Sequence, residues 1–323
     1  MTGRTAISVV IPTRNRASYL EPSLASLESQ TLSPDAFEII VVDDGSTDAT
    51  GALCRSRRGR APLRYVRQSH AGSAAAKNLG LFLSSGEIVV FFDDDDVASE
   101  SFLEEHLKAH AAFPDPHLSI LSFTDWHPDL TVTPVMDYLV NVGQFLFSYV
   151  SLRDRQQLGW QHFWTGRISC KRRFLTHFGV FSPRMKRVED IELGYRLSRH
   201  GHEIRYWRGA ESFMLRPITF ADFCRRAEGD GVALSEMKRI HPAPEMVEYC
   251  HGDAAARWAE IAGELDAIVA AVEALEKLLG PTPPAVARPV LEALHGLYRQ
   301  AFLGFAVKGV AAGDAAAAQA EGS

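Results

Sequence analysis

The most informative part of the sequence is SSGEIVVFFDDDD, residues 84–96, where an apolar run ends in four adjacent carboxylates. Unbroken β-branched and aromatic runs of this length are typical of parallel strands that are buried on both faces. Similar runs occupy residues 6–11, 38–42 and 63–67, and helical patterns separate all four. Strands that alternate with helices predict an α/β fold, in which helices flank a mostly parallel central sheet with right-handed crossovers.

Polar residues follow three of the four predicted strands directly. Pro12-Thr13-Arg14 ends the first strand, Asp43-Asp44 ends the second, and residues 93–96 end the fourth. Open α/β sheets bind their ligands at the edge where the carboxyl ends of parallel strands meet. We therefore expect these polar residues to form one ligand site.

The four carboxylates at 93–96 have two interpretations. They form either a solvated loop between a strand and a helix or a site for a divalent cation. Phe91 and Phe92 favour the cation site, because they keep the run near the sheet edge rather than in free solvent. Alternate residues of an extended chain point the same way, so Asp93 and Asp95 would share one face. Carboxylate oxygens, phosphate oxygens and water are the ligands that Mg²⁺ and Mn²⁺ prefer.

Two shorter acidic motifs are also ambiguous. Asp43-Asp44 is followed by Gly45-Ser46, a sequence that suits an Asx turn. In nucleotide-binding sheets, however, an acid directly after the second strand commonly contacts a ribose or a base. Glu189-Asp190 opens a helix predicted at 188–200, where carboxylates stabilise the helix dipole or one of them serves as a general base. The first strand is not followed by G-x-G-x-x-G, which weighs against NAD, FAD and methyl-donor cofactors.

The C-terminal part has a different pattern. Apolar residues spaced 3, 4, 3, 4, 3 and 4 apart form a heptad seam of about three heptads, at Trp258, Ile261, Leu265, Ile268, Val272, Leu275 and Leu279. The sequence GPTPP at 280–284 breaks it. A second helical pattern follows at Val286, Val290, Leu294, Leu297, Ala301 and Phe305. These patterns predict a C-terminal α-helical hairpin and an Ala-rich, frayed tail at 311–323.

Four segments result from these patterns. We expect a catalytic domain at 1–235, with a nucleotide-binding half at 1–98 and an acceptor-binding half at 99–235. A helical appendage would occupy 236–310, before the tail at 311–323. Residues 125–165 are rich in aromatic residues without a clean period, and they are interpreted as an irregular functional insertion.

Composition excludes several classes of protein. The 323 residues include 34 Lys+Arg and 40 Asp+Glu, a net charge of -6, which argues against binding nucleic acid through bulk positive charge. The four cysteines form no C-x-x-C pair, so we expect neither a zinc site nor a disulfide framework, and a cytoplasmic location follows. No signal peptide and no membrane span are predicted. Peripheral contact with the inner face of a membrane stays open.

The motifs taken together resemble those of family 2 glycosyltransferases of the Rossmann-like GT-A fold. The resemblance covers roughly residues 5–230, in family order, at SVVIPTRNRASYL (8–20), EIIVVDDGSTDAT (38–50), AGSAAAKNLGL (71–81), SSGEIVVFFDDDD (84–96) and RVEDIELGYRLSRHG (187–201). It implies an inverting transfer of a sugar from a nucleotide-diphospho-sugar, with UDP favoured, to a saccharide or lipid-linked acceptor. It also implies Mn²⁺ or Mg²⁺ as cofactor and a place in polysaccharide biosynthesis.

The resemblance also assigns roles to single residues. The implied donor-binding residues are Pro12, Thr13, Arg14, Asp43, Asp44, Lys77, Asp93 and Asp94. Asp44 would contact the base, and Asp93 and Asp95 match the D-x-D motif that faces the ribose and holds the metal. Asp190 falls on the catalytic base. The implied acceptor or phosphate contacts are Arg167, Glu189 and Trp164.

One departure from the family leaves alternatives open. Many relatives place a metal-binding His downstream of the E-D pair, where this chain has Met214, whose thioether is a poor ligand for Mg²⁺ or Mn²⁺. Metal binding is then weaker, another His substitutes, or the alignment is shifted. A catalytically silent relative that binds nucleotide or scaffolds an assembly through its C-terminal hairpin is one alternative. A homodimer through the C-terminal helices also stays open. A phosphatase of the haloacid-dehalogenase type is another, with Asp93 as nucleophile and Asp95 as acid.

Overall fold

The structure, a computed structural model, describes residues 5–282 and 288–321. Its strands are β1 (Ile7–Thr13), β2 (Phe37–Asp43), β3 (Leu63–Arg67), β4 (Ile88–Phe92), β5 (Asp96–Ala98), β6 (Leu118–Trp126), β7 (Gln157–Leu158), β8 (Arg167–Lys171) and β9 (Glu203–Met214). Its helices are α1 (Ala17–Glu28), α2 (Thr50–Ser56), α3 (Ser73–Leu83), α4 (Phe102–Ala112), α5 (Pro134–Asp137), α6 (Arg172–Phe178), α7 (Glu189–Ser198), α8 (Phe220–Ile240), α9 (Pro244–Tyr249), α10 (Ala254–Ile261), α11 (Leu265–Leu279) and α12 (Arg288–Glu321).

The strands form one sheet in the order β3-β2-β1-β4-β8-β6-β9-β5, and β7 pairs with β9. Strands β1 to β4 pair in parallel, as the apolar runs predict. Strand β8 is antiparallel to both β4 and β6, and β5 is antiparallel to β9. The predicted α/β fold is therefore confirmed, with β1 to β4 as a parallel run in the N-terminal half and β6 and β9 as a further parallel pair.

The core forms where the sequence places its unbroken apolar runs. Val9, Val10 and Ile11 of β1 are fully buried, because helices cover both faces of the strand. Burial of each such side chain contributes about 1.5–3 kcal/mol. Helix α3 approaches β1 closely enough that a Cβ on Gly80 would collide with the side chain of Val10. This close packing fixes the start of α3, and with it the loop that precedes the helix.

Strand β9 differs from the prediction of two short strands at 203–207 and 212–215. It is continuous over Glu203–Met214, with a bulge where its register against β6 shifts between Ser122 and Phe123. The bulge lets one strand pair along the whole of β6 although its apolar pattern is interrupted. Its far end lies opposite β5, with Met214 across from Asp96.

The chain separates into two compact units, at boundaries that differ from the predicted ones. One unit comprises residues 1–128 and 152–216, and the other comprises 129–151 and 217–323. Residues 129–151 belong to the second unit, because their aromatic side chains pack against α12. The ring centroids of Tyr138 and Tyr298 are 5.3 Å apart, and those of Phe145 and Phe302 are 5.6 Å apart. The second unit gains α8 because this helix packs along α12.

Within the second unit, α8 and α12 approach at their backbones. A Cβ on Gly231 would collide with the carbonyl of Ala306, and one on Gly309 with the carbonyl of Glu228. The predicted seam from Trp258 to Leu279 is split into α10 and α11 by a turn at 262–264. The predicted break and helix start at Pro283, Pro284 and Val286 lie outside the described residues.

The end of the chain differs from the predicted frayed tail. Helix α12 continues to Glu321, and Asp314 accepts hydrogen bonds from Lys238 and Ser235, both at 2.6 Å. These contacts hold the Ala-rich stretch against α8. By length and composition α12 could also cross a membrane, but 39% of its most apolar window is buried inside the protein. Core helices of soluble proteins meet the same criterion, so the finding is weak evidence for a span.

Candidate functional site

The ends of β1, β2 and β4 meet at one edge of the sheet, as predicted. The hydroxyl of Thr13 donates to Asp94 at 2.7 Å, and the backbone N–H of Asp44 donates to the carbonyl of Thr13 at 2.9 Å. Pro12 pairs with Val42 in the parallel register that brings Thr13 opposite Asp43. Residues from three separate sequence motifs therefore form one polar surface.

Arginines surround the middle of the acidic run. Arg16 donates to Asp94 at 2.9 Å and to Asp95 at 3.1 Å. Arg216, which follows β9, donates its Nε–H to the same oxygen of Asp95 at 2.7 Å. Charge-assisted contacts of this kind offset the repulsion between adjacent carboxylates. They hold residues 93–96 at the sheet edge rather than as a free loop.

Arg167 is buried beside the acidic run. Its side chain is 5% exposed, and its guanidinium lies 3.3 Å from Asp93 and 3.1 Å from Asp96. Ser212 donates a second hydrogen bond to Asp96 at 3.1 Å. The preceding residue, Gly166, has φ +108°, and a Cβ there would overlap the carboxylate of Asp93. This geometry makes Arg167 a buried partner of Asp93 and Asp96, and its contact with acceptor or phosphate stays a prediction.

The carboxylates of the run differ in pKa because their partners differ. Burial raises the pKa of Asp94 to about 6, although Arg16 opposes the shift. Burial raises the pKa of Asp96 to about 7, against the opposing charge of Arg167. For Asp95, burial is outweighed by Arg16 and Arg216, which lower its pKa. Asp95 is thus the member of the run that stays most firmly ionised.

The residues present suit a cation held jointly by protein and diphosphate. The arginine contacts of Asp93 and Asp95 use one oxygen, Oδ2, of each carboxylate. Within residues 5–282 and 288–321, no group of three or more His, Cys, Asp or Glu could enclose a metal ion. Mg²⁺ commonly takes one or two carboxylates and completes its shell with phosphate oxygens and water. Asp93 and Asp95 fit that arrangement.

Met214 adds no ligand to this edge. It lies opposite Asp96 and is 8% exposed, and the N–H of Leu215 donates to the carbonyl of Asp95 at 2.8 Å. The residue that reaches Asp95 from this segment is Arg216, a cation. A protein cation thus occupies the side of Asp95 where many relatives are expected to supply an imidazole.

Asp190 lies at the start of α7, in a polar setting. Its Oδ2 accepts from the backbone N–H of Thr165 at 3.2 Å and from the Thr165 hydroxyl at 3.3 Å. Burial first, and then the charge of Glu189, raises the pKa of Asp190 to about 6. Val188, two residues before Asp190, has φ 48°. This left-handed conformation costs a β-branched residue about 1–3 kcal/mol. Such strain is common where a loop must aim a functional side chain.

Lys77 and Glu189 form a buried ion pair beside Asp190. Nζ of Lys77 lies 2.7 Å from Oε1 of Glu189 and also donates to the hydroxyl of Thr165. Although burial lowers it, the pKa of Lys77 is raised overall by Glu189, Asp190 and Asp93. Glu189 therefore pairs with Lys77, and its contact with an acceptor stays a prediction. Lys77 is a buried cation between the two acidic motifs.

Asp43 and Asp44 both organise backbone turns. Asp43 accepts from the N–H of Ser46, three residues on, at 2.7 Å and from the hydroxyl of Tyr65 at 2.6 Å. Asp44 accepts from the loop that follows β3, including the backbone N–H groups of Ala71 and Gly72 at 2.8 and 2.9 Å. Both carboxylates are buried. Both residues therefore stabilise local backbone, and their contact with a ligand stays a prediction.

Arg14 is exposed, and Trp164 is half-buried. The indole N–H of Trp164 donates to the carbonyl of Gln161 at 2.7 Å, and its ring lies against His162. Arg14 lies 2.8 Å from Nε2 of His70. Both side chains stay accessible to a ligand at this surface.

Sequence reasoning missed four residues of this site: Arg16, His70, Thr165 and Arg216. Arg16 lies within the PTRNR segment that follows β1, so its position was a signal. Arg216 stands two residues after Met214, at the spacing that shares a face in an extended chain. Thr165 and His70 belong to loops, and no sequence pattern predicts where loop side chains point.

Comparisons with known proteins agree with this geometry. A family model described as "Glycosyl transferase family 2" matches residues 8–192. A validoxylamine A glucosyltransferase of Streptomyces hygroscopicus subsp. limoneus is 34% identical over 219 residues, which cover 60% of this chain and 48% of that protein. An uncharacterized glycosyltransferase, YfnE of Bacillus subtilis, is 27% identical over 249 residues and covers 62% of each protein. The chain spans about half the length of the first of these relatives.

Solved structures share the fold. A mannosyltransferase of Pyrobaculum calidifontis, solved with GDP-Man and Mn²⁺, superposes with a TM-score of 0.62 at 22% identity and covers 96% of this chain and 87% of its own. Residues 1–349 of TarS of S. aureus, solved with UDP, give a TM-score of 0.57 at 17% identity and cover 98% and 92%. At these identities the likeness concerns the fold alone.

Proposed function

The chain belongs to glycosyl transferase family 2 and has the GT-A fold, and from this membership we propose that it transfers a sugar from a nucleotide-diphospho-sugar to a hydroxyl group with inversion of the anomeric centre. One observation carries the proposal. The loop at 165–167 touches both acidic motifs, since Thr165 donates to Asp190 while Gly166 and Arg167 contact Asp93. Asp190 and the acidic run therefore lie side by side, which supports the proposal.

Asp190 is the proposed general base. It removes the proton of the acceptor hydroxyl as that oxygen attacks the anomeric carbon, and the bond from this carbon to the diphosphate oxygen breaks. A base with a pKa of about 6 is ionised at neutral pH and still accepts a proton readily. Displacement in one step inverts the anomeric centre. The hydrogen bonds from Thr165 orient the carboxylate toward the acceptor side.

Cationic side chains of the chain balance the charge of the donor site. Lys77, Arg16 and Arg216 lie against Glu189, Asp94 and Asp95. They keep the acidic edge from repelling a donor that carries two phosphates. Asp93 and Asp95 are the proposed ligands of Mn²⁺ or Mg²⁺. When bound, such a cation supplies Lewis-acid stabilisation of the leaving diphosphate.

The finer identity of the substrates is also proposed here. A UDP-sugar is the favoured donor, and a saccharide or lipid-linked hydroxyl compound is the favoured acceptor, in the cytoplasm or at the inner face of the membrane. The resemblance to family 2 supports UDP, and structural neighbours solved with UDP and with GDP-Man support a nucleoside diphosphate in general. A role in polysaccharide biosynthesis stays a prediction. The phosphatase alternative is excluded, because the family and the fold are those of glycosyltransferases.

The test is a thermal-shift panel of UDP, GDP, dTDP and CDP, with and without Mn²⁺. A ligand that binds only the folded protein raises its stability by mass action. We expect a selective shift with UDP that increases with Mn²⁺, and an inverted product by NMR with a competent donor and acceptor. Absence of any shift would contradict the proposal. Binding without turnover for every donor and acceptor pair tried would instead favour the silent scaffold.

A further inference from the structure

Residues 49–86 contain no aspartate or glutamate, although the whole chain has a net charge of -6. The cations of this stretch are Arg55, Arg57, Arg58, Arg60, Arg64, Arg67 and Lys77. Three of them, at positions 57, 67 and 77, lie against carboxylates from other parts of the chain. Within the described part of the chain, the other four arginines form no ion pair. We call these four residues, at positions 55, 58, 60 and 64, the basic surface.

The basic surface lies near the edge of the sheet where the strands begin. Strands β1 to β4 are parallel, so their first residues share this edge and their last residues share the opposite one. Helices α2 and α3 end at Ser56 and Leu83, shortly before β3 and β4 begin. Strands of five to seven residues, such as β4 and β2, span about 15–20 Å. This distance separates the basic surface from the acidic run that follows β4.

The contacts of these arginines hold them in place without neutralising them. Nη1 of Arg64 donates to the carbonyl of Leu83 at 3.1 Å, and Nη1 of Arg58 donates to the carbonyl of Arg55 at 2.8 Å. The guanidinium of Arg55 lies over the ring of Tyr65, 5.5 Å from its centroid. All four side chains of the basic surface are exposed. A carbonyl or an aromatic ring carries no net charge, so each guanidinium keeps its charge for an external anion.

The carboxylates nearest to this edge are already engaged. Both oxygens of Glu28 accept from Arg57, at 2.7 and 3.1 Å. Glu38, at the start of β2, accepts from the hydroxyls of Ser8 and Ser85 at 2.7 and 2.6 Å. Their charges reduce the local potential, but four exposed arginines outnumber them. The edge therefore keeps an excess of positive charge.

An exposed aromatic side chain adjoins the basic surface. Phe82 is 63% exposed, and every other phenylalanine of the chain is at least partly buried. It directly precedes Leu83, whose carbonyl accepts from Arg64. A large apolar ring next to cationic groups is the composition of surfaces that lie on membranes. There, arginines meet the lipid phosphates and the ring enters the boundary between headgroups and acyl chains.

We propose that the basic surface binds the phosphate groups of an anionic membrane, with Phe82 as its apolar anchor. A lipid surface fits better than a soluble polyanion, because only the lipid surface offers the ring an apolar environment. The inference deepens the proposed location at the inner face of a membrane and rests on that part of the proposed function. Because the acidic run follows the opposite ends of the strands, membrane binding leaves the donor site open to solution.

Charge on an edge strand has a second established use, which explains less of this surface. Strand β3 lies at the end of the sheet, and charged side chains on such a strand prevent it from pairing with other sheets. That use accounts for Arg64, which lies on β3. It accounts neither for Arg58 and Arg60, which precede the strand, nor for the exposure of Phe82 on α3.

The test is cosedimentation of the full chain with vesicles of phosphatidylcholine alone and with vesicles that contain phosphatidylglycerol in equal parts. We expect binding to the anionic vesicles alone, and its release by added salt. Each basic residue near such a surface contributes about fivefold to the affinity, so Arg58→Gln/Arg60→Gln should weaken binding about ten- to thirtyfold. Phe82→Ser should weaken it about tenfold through lost apolar burial.

Two matched controls remove the same chemistry elsewhere. Arg153→Gln/Arg173→Gln removes two exposed arginines outside the basic surface, and it should leave vesicle binding within about twofold of the wild type. Val150→Ser removes an apolar side chain with 62% exposure, close to that of Phe82, and should have no effect. Should Arg58→Gln/Arg60→Gln melt earlier than the wild type, Arg60→Glu replaces it, because the side chain of Arg60 makes no hydrogen bond in the described part of the chain.

The outcomes separate this inference from the transfer reaction. A wild type that binds anionic vesicles no better than neutral ones overturns the inference, and a UDP-induced thermal shift in the same preparation leaves the transferase proposal standing. Vesicle binding without any nucleotide-induced shift would do the reverse. Equal losses in the two double arginine variants would show that net charge alone drives binding, against a defined surface. Binding to heparin as tight as to anionic vesicles, with no loss in Phe82→Ser, would identify a soluble polyanion as the partner and overturn the membrane assignment.

Discussion

Nζ of Lys77 lies 2.7 Å from Oε1 of Glu189, and the two side chains are 7% and 9% exposed. Removing one partner of such a pair leaves an uncompensated charge in the interior, which costs about 3–5 kcal/mol. We therefore expect Lys77→Met to lower the free energy of unfolding by that amount, measured by urea denaturation. The double variant Lys77→Met/Glu189→Gln should recover part of the loss, because neither residue is then a buried charge.

Lys77→Arg is the conservative counterpart, since the family often has arginine at this position. It keeps the charge and should retain most of the stability. A Lys77→Met protein as stable as the wild type would show that the pair is not buried in solution.

Thr165 is expected to orient the base. It donates twice to Asp190, and Lys77 donates to its hydroxyl, so the hydroxyl proton is directed toward the carboxylate. Thr165→Val should lower kcat about tenfold with the KM of the donor unchanged, the loss expected for one hydrogen bond of about 1.4 kcal/mol. Thr165→Ser should retain activity. Thr176→Val, on α6, is the matched control, and equal losses in both valine variants would contradict the positioning role.

The pH profile should report Asp190. Because burial raises its pKa to about 6, the carboxyl is protonated and inactive as a base below that pH and becomes active as the pH rises through it. We expect kcat/KM to rise between about pH 5 and pH 7 and then to level off. Asp190→Asn should lower kcat by about 10²- to 10⁴-fold and abolish the acid limb. Asp35→Asn, in an exposed turn, should leave the profile unchanged, and an acid limb that persists in Asp190→Asn would assign it to another group.

Local patterns in the sequence were sufficient for the parallel strands β1 to β4 and for the edge where β1, β2 and β4 end. The apolar composition of the runs that form β1, β2 and β4 is enough to predict that these strands are buried. Parallel pairing then brings Thr13, Asp43 and the acidic run together. The contacts that tune this edge were not predictable in this way. Arg216 reaches Asp95 across 121 positions of sequence, through a pairing of β5 with β9 that no local pattern specifies.

The extent of the second unit was hidden for a related reason. Residues 129–151 carry aromatic side chains without a helical or alternating period, so nothing assigned Tyr138 and Phe145 to Phe302 and its neighbours. A frayed tail was predicted at 311–323 because this Ala-rich stretch has little apolar surface to bury. The ion pair between Asp314 and Lys238 holds it instead, and the partners of ion pairs are non-local information.

We expect the effect of a divalent cation on donor binding to depend on the carboxylate of Asp95. Nucleoside diphosphate with Mn²⁺ should raise the melting temperature more than nucleoside diphosphate alone, because a second ligand adds its own mass-action term. Asp95→Asn should remove the Mn²⁺ increment, since the ionised carboxylate is lost. Asp35→Asn again serves as the control for a carboxylate remote from the edge. A full Mn²⁺ increment in Asp95→Asn would exclude Asp95 as a ligand.

Two glycines of α12 give a matched test of how the second unit is packed. A Cβ on Gly309 would overlap the carbonyl of Glu228 in α8, whereas a Cβ on Gly296 meets no atom within 4 Å. Gly309→Ala must therefore separate the two helices, and overpacking of this kind costs about 1–3 kcal/mol. Gly296→Ala should stabilise the protein by about 0.5–1 kcal/mol, because alanine is the better helix former at an open position. Urea denaturation of the two variants measures both changes. Equal effects from the two substitutions would show that α8 and α12 do not meet at Gly309, since helix propensity alone treats the two positions alike.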